Sequence, residues 1–207
     1  MSSTLTLLGE NIAVTMVEEQ LEGDIILPQN KYVRHEMGRV IAVGDGKYRQ
    51  DPTSGTTTTD RTIWVQPDDI IMYQLGGPQI ANAAYKLDEQ PIRIFHQGDA
   101  IARLKTNKIN MENIQILGNW VMLRVETQKG TIIIPDAAQL PENFKFYLEQ
   151  KGEGVTLDIA IGEEVLPERG RCAPIDINGK TFVYTHQDFI RGVVRPDRKA
   201  IGDLAAS

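Results

Sequence analysis

Apolar positions along the chain recur in short runs and not at helical spacing. "NIAVTMVE" (11–18), "MGRVIAVG" (37–44) and "TFVYT" (181–185) alternate or run apolar, and they are rich in valine, isoleucine and aromatics. Branched and aromatic side chains in such a pattern mark strands that are half or wholly buried in a sheet. Turn residues punctuate the runs at Gly44-Asp45-Gly46, Gly76-Gly77-Pro78 and Asn178-Gly179. The last is a strong two-residue hairpin signal, because both central positions of a type I′ turn need positive φ. No stretch carries a long amphipathic helix. The predicted class is all-β, built as small, mostly antiparallel barrels or sandwiches.

The pattern is written twice. "LLGENIAV" (7–14) matches "ILGNWVML" (116–123), and "GDIILP" (23–28) matches "GTIIIP" (130–135). "QPDDIIMY" (66–73) matches "IGEEVLPE" (161–168) in pattern. "IRIFHQGDAIARL" (92–104) matches "FVYTHQDFIRGVV" (182–194), read with one residue deleted. Four matches in the same order imply an internal repeat and therefore two domains. The expected organisation is a first domain over 1–104, a polar linker "KTNKINMEN" over 105–113, a more divergent second domain over 114–195, and a loose tail over 196–207.

One repeated piece fits a core poorly. Ile25, Ile26 and Leu27 follow Glu18, Glu19, Glu22 and Gly23 and are closed by Pro28; Ile132, Ile133 and Ile134 follow Gly130 and are closed by Pro135. Patterning alone allows a short buried strand ended by proline. Repetition of the glycine, the aliphatic triplet and the proline between unrelated flanks also fits a recognition segment on a loop. Burying three aliphatic side chains gains roughly 1.5–3 kcal/mol each. Ordering the loop costs about 1–2 kcal/mol per residue. One such segment binds weakly, and several on one assembly bind well because each later contact is intramolecular.

Composition narrows the function. The chain has 207 residues and a formal net charge of -6, with lysine and arginine dispersed, which argues against a nucleic-acid partner. The single cysteine, Cys172, excludes an intramolecular disulfide and a cysteine-based zinc site. "GDGKYR" (44–49) lacks the spacing and the following helix of a phosphate-binding loop. His96 and His186 fall at equivalent repeat positions and read as strand-end histidines; neither they nor His35 sits in a metal-ligand cluster. The pairs Asp68-Asp69 and Glu163-Glu164 read as solvated turns before strands and not as a carboxylate dyad. Arg169 and Arg171 flank Cys172 and would lower a thiol pKa, yet no general base accompanies it. The first residues, "MSSTLTLLGENIAV", show no basic and apolar leader pattern, and the expected compartment is the cytoplasm of a bacterium or of a phage host, with a plastid as the further option.

The first half resembles the co-chaperonins of the GroES type. The resemblance rests on "LLGENIAV", "EGDIILP", "MGRVIAVGDG", "VQPDDIIMYQLGG" and "AYKLDEQPIRIFHQGDAIARL", which cover nearly all of residues 5–104 in the family's order. The second half is similar over roughly 114–194, has "FKFYLEQKGEG" in place of "GRVIAVGDG", and leaves no room for a long hairpin between Gly152 and Gly162. The resemblance implies two tandem GroES-like small β-barrel domains with exposed mobile loops, in a homo-oligomeric ring that caps a GroEL-type chaperonin. It implies that Ile25, Ile26, Leu27, Ile132, Ile133 and Ile134 dock into the chaperonin's apical domains, with Gly23 and Gly130 as loop hinges. Asp24 stands where the family usually has a second glycine, which stiffens the first loop. The implied protein is no enzyme, holds no metal or cofactor, contacts no membrane, and leaves ATP to its chaperonin partner. A module that keeps the fold without chaperone activity is the alternative. An oxidoreductase fragment would need a dinucleotide-binding domain that the sequence lacks.

Overall fold

The computed structural model of the chain describes residues 5–17, 36–48, 59–74, 84–127 and 144–195. It divides into two compact units, Met1–Gly118 and Asn119–Ser207. The described residues of both are strands, joined by turns and by short 3-10 turns.

The first unit holds β1 (Asn11–Met16), β2 (Glu36–Val43), β3 (Lys47–Tyr48), β4 (Thr59–Asp60), β5 (Ile70–Tyr73), β6 (Ala84–Leu87), β7 (Gln90–His96), β8 (Ala100–Leu104) and β9 (Ile114–Ile116). Seven of these form one sheet in the order β6-β7-β1-β2-β5-β8-β9, and β3 pairs β4 separately. The second unit holds β10 (Trp120–Thr127), β11 (Phe144–Lys151), β12 (Glu164–Pro167), β13 (Ala173–Ile177), β14 (Lys180–His186) and β15 (Ile190–Val194), in the sheet order β13-β14-β10-β11-β12-β15. All the pairings are antiparallel.

The all-β expectation holds, and so does the tandem repeat. The barrels are open: no ladder joins β6 to β9, or β13 to β15, among the described residues. The end strands β6 and β9 are four and three residues long, so each leaves little backbone with which to close a ring of hydrogen bonds. Each core lies under one face of its sheet. In the first it gathers Ile12, Val14, Val40, Ile71, Tyr73, Phe95 and Leu117; in the second, Val121, Leu123, Phe146, Leu148, Val165 and Val183.

The repeat is closer in space than in letters. Register irregularities fall at matching places: between Ala13 and Val14 and between Met122 and Leu123, and again between Met72 and Tyr73 and between Leu166 and Pro167. The last of these leaves Arg191 of β15 outside the ladder, and Pro167 stands opposite that bulge, a place where proline is tolerated. Residues 92–104 and 182–194 superpose element for element with no deletion. The acidic turns match one residue away from the sequence pairing. Asp68 and Gly162 both take positive φ (74° and 87°) and both donate their N–H to the strand alongside, to Val40 and Leu148. Asp69 therefore corresponds to Glu163 and β5 to β12.

The division between the units falls later than the polar stretch 105–113. That stretch is a turn closed on itself: Lys105 N–H donates to the Asn113 carbonyl at 3.1 Å, and Asn113 Nδ2 donates to Thr106 Oγ1 at 2.8 Å. The apolar alternation then resumes, and Ile114–Ile116 pairs with β8 in the first sheet. Ile114, Ile116 and the following Leu117 are all buried there.

Candidate functional site

The aliphatic triplets Ile25, Ile26, Leu27 and Ile132, Ile133, Ile134, with the hinge candidates Gly23 and Gly130, lie outside the described residues. The strands that carry the two segments are described. In the first unit the segment over 18–35 joins β1 to β2, neighbours paired through Met16 and Gly38, and Val17 N–H donates to the Met37 carbonyl at 3.0 Å. In the second, the segment over 128–143 joins β10 to β11, paired up to Thr127 and Phe144. Antiparallel partners stand about 5 Å apart, so each segment leaves and returns at one point. Hairpin connections usually take two to five residues. These take 18 and 16, and connections of that length are most often functional.

The strand ends beneath the segments are built differently. Under the first, Arg93 pairs with Glu36, and the Tyr73 hydroxyl donates to Met16 Sδ at 3.0 Å. Burial pushes the Tyr73 pKa up to about 12. Gly38 lets β2 lie against the bulged strand; a Cβ there would stand 2.8 Å from Val14 Cβ. Under the second, Phe146 takes the place of Gly38 opposite β10. Arg124 pairs with Glu126, reaches Glu149 at 3.4 Å, and lies 5.2 Å over the Tyr147 ring. Lys145 Nζ donates to Glu164 Oε2 at 2.8 Å, a hydrogen bond that holds the Lys145 pKa above its ordinary value. Ion pairs this exposed contribute about 0–1 kcal/mol, so they orient the strand ends more than they stabilise them.

The chemistry-bearing residues outside these segments have structural tasks. His96 Nδ1 accepts from Gly98 N–H at 3.0 Å and His186 Nδ1 from Asp188 N–H at 3.4 Å, so each ring caps a 3-10 turn. His35 lies outside the described residues. No group of three or more metal-ligating side chains occurs among the described residues. Asp69 Oδ2 accepts from Gln66 N–H at 2.9 Å and Glu163 Oε2 from Ala160 N–H at 2.7 Å, as turn caps do. The Cys172 thiol is pushed up to about 11, by burial first, and its S–H points to the Glu168 carbonyl at 3.7 Å. The neighbouring arginines do not make it a thiolate: Arg171 is engaged with Glu168 and stacked on Phe189.

Sequence reasoning passed over the two glutamines beside the histidines. Gln97 is fully buried. Its Nε2 donates to Glu10 Oε1 and the Thr62 carbonyl, each at 2.9 Å, and its Oε1 accepts from Trp64 N–H at 2.9 Å. Gln187 repeats the device: Oε1 accepts from Thr156 N–H at 2.9 Å and Nε2 donates to the Gly154 carbonyl at 3.4 Å. Each amide ties the crossover that follows β2 or β11 to the end of β7 or β14. The shared His-Gln dipeptide was the available signal.

Comparison with known proteins addresses the first unit. The family model described as "Chaperonin 10 Kd subunit" matches residues 4–104. A co-chaperonin GroES of Lactobacillus delbrueckii subsp. bulgaricus is 28% identical over 100 residues, 47% of this chain and 96% of that protein. A co-chaperonin GroES of Elusimicrobium minutum is 30% identical over 93 residues, 40% of this chain and 96% of that protein.

Proposed function

The chain belongs to the chaperonin 10 Kd subunit family, and on that premise we propose that it is a co-chaperonin whose rings close the end of an ATP-dependent, GroEL-type chaperonin. The contacts would come from Ile25, Ile26 and Leu27, with Ile132, Ile133 and Ile134 as a second set, each swung on Gly23 or Gly130. One observation carries this reading. In both units an unusually long connection carrying an aliphatic triplet leaves the sheet at the same strand pair, β1–β2 or β10–β11. The chain itself catalyses nothing in this reading and takes no cofactor. ATP is bound by the chaperonin, and the two meet in the cytoplasm.

The test is capture by a GroEL-type chaperonin with ATP, read as the mass of the complex. Ile26→Asp should leave the chain's own assembly intact and weaken capture at least about tenfold, because one lost aliphatic contact removes about 1.5–3 kcal/mol. Ile133→Asp asks the same of the second unit. The family match ends at residue 104, which favours a second reading of that unit as a spacer that keeps the fold without docking. Loss with Ile26→Asp and none with Ile133→Asp supports the spacer. If neither variant alters capture, the docking assignment fails and the non-chaperone module takes its place.

A further inference from the structure

Met16 closes β1 opposite Gly38, and Val17 N–H donating to the Met37 carbonyl at 3.0 Å is the last bond described before position 18. Met16 is 49% exposed, more open than any other described methionine: Met111 is half-buried, and Met37, Met72 and Met122 are buried. Tyr73 closes β5, two strands away in the same sheet. It is fully buried, with its ring 4.5 Å from that of Phe95 in the first core. Its hydroxyl nevertheless reaches the rim, where it donates to Met16 Sδ at 3.0 Å.

The two partners are unequal. A buried hydroxyl needs a partner, and a thioether sulfur is a weak acceptor. Among the described residues Tyr73 has no oxygen acceptor. Burial keeps the phenol neutral, its pKa pushed up to about 12, so it stays a donor. The sulfur sits on an exposed side chain and keeps a lone pair that Tyr73 does not use. The second unit has Val125 in the place of Met16 and Pro167 in the place of Tyr73, so the device belongs to the first unit.

We propose that Met16 is a site of oxidation by hydroperoxides, and that its sulfoxide oxygen takes over the Tyr73 hydrogen bond and tightens the strand end from which residues 18–35 depart. The sulfur lone pair attacks the terminal peroxide oxygen, and the O–O bond breaks as the S–O bond forms. The thioether loses two electrons to the peroxide. The proton of the transferred oxygen passes to the departing one, which leaves as water or an alcohol. The Tyr73 proton is not consumed and turns to the new oxygen. A sulfoxide is polar and disrupts a core when it forms inside one. Here it forms at the rim, beside a donor whose present acceptor is weak. Seating the oxygen about 2.7 Å from the hydroxyl asks the sulfur to draw back by less than ~1 Å, which the unbranched, flexible side chain allows. The contact lies within one chain and does not depend on what the segment docks against.

Dilute hydrogen peroxide tests it, on the full chain with no chaperonin present. Peptide mapping by mass spectrometry should find Met16 converted at least about tenfold faster than the buried Met37, Met72 and Met122. Amide hydrogen exchange of Val17, read by NMR, reports on the strand end and should slow at least about threefold once Met16 is oxidised. In Tyr73→Phe the sulfur should still oxidise, yet Val17 should not slow. Met16→Gln places a permanent amide oxygen at the same reach and should slow Val17 without peroxide. It leaves the core untouched, so it carries the test even where Tyr73→Phe folds poorly. Met16→Leu should make Val17 indifferent to peroxide. Conversion of Met16 no faster than that of the buried methionines, a Val17 exchange that is unchanged or quickened by the sulfoxide or by Met16→Gln, or equal slowing in Tyr73→Phe overturns the proposal.

Discussion

The two units share a ladder and differ in what covers it. From Gly44 to Trp64 the first unit takes 20 steps and pairs β3 with β4 on the way; from Gly152 to Thr156 the second takes four and turns directly. Yet Trp64 N–H and Thr156 N–H meet equivalent glutamines. At the far edge β8 is buried beneath β9, while β15 is half-open. The strand pairings are thus retained where the crossover between them is cut short and the letters diverge. Alternation and bulges specify pairing. Burial of a given strand depends instead on what the chain delivers to its edge.

The edge gives the largest contrast. Leu117→Ala removes a fully buried side chain from the first core and should cost about 3–4 kcal/mol. Leu8→Ala, at the equivalent but exposed position, should stay within about 0.5 kcal/mol in dilute, single-chain conditions. Amide hydrogen exchange resolves the first unit from the second, which a single melting midpoint does not. Equal losses at the two sites would mean that Leu8 is already packed and that the repeat does not predict its environment.

The glutamines give an intermediate one. Gln97→Leu strands Trp64 N–H, the Thr62 carbonyl and one contact of Glu10, and should cost about 2–3 kcal/mol. Gln187→Leu strands Thr156 N–H and loses only a 3.4 Å contact to Gly154, and should cost about 1–2 kcal/mol. The same exchange measurement reads both. A larger loss at Gln187 would contradict the view that the longer crossover leans harder on its amide.

What the sequence made legible follows the same division. Runs such as Ile70–Tyr73, buried at every residue, announce a strand because they are short, rich in branched and aromatic side chains and preceded by an acidic turn. Asn178-Gly179 announces its hairpin, with φ of 55° and 72°. Its counterpart Asp88-Glu89 takes φ of 48° and 66° in the same kind of turn and was missed, since glutamate, and not the usual glycine, holds its second central position. Gln97 was missed because an amide reads as surface; only its hydrogen-bonded partners, 10, 62 and 64, make its burial affordable, and those are remote in sequence. Ile114–Ile116 was given to the second domain because it opens the second repeat, whereas its ladder lies with β8. Of the proposed docking segments only the strand ends that carry them are described. The triplets themselves rest on their repetition and on the family, and no described contact bears on them.

The smallest effect concerns the acidic turns. Glu163 is held below its ordinary carboxylate pKa of 4.5, first by Ala160 N–H and then by Arg195, whose Nε lies 3.1 Å from Oε1. A carboxyl whose folded pKa is depressed contributes stability that is present above the unfolded pKa and is lost as pH falls through the folded one. Glu163→Gln should therefore lower the second unit's stability slightly near neutrality, leave it almost unchanged in acid, and so shallow its decline as pH falls. Arg195→Ala separates the two causes. The Ala160 N–H stays in place, so carboxyl NMR titration should find Glu163 shifted up yet still below its ordinary value. A return to the ordinary value would assign the depression to the arginine alone. Glu163 would then owe its ionisation to a contact made after β15 and not to the turn it shares with Asp69, and the correspondence of the two turns would extend to backbone geometry but not to charge.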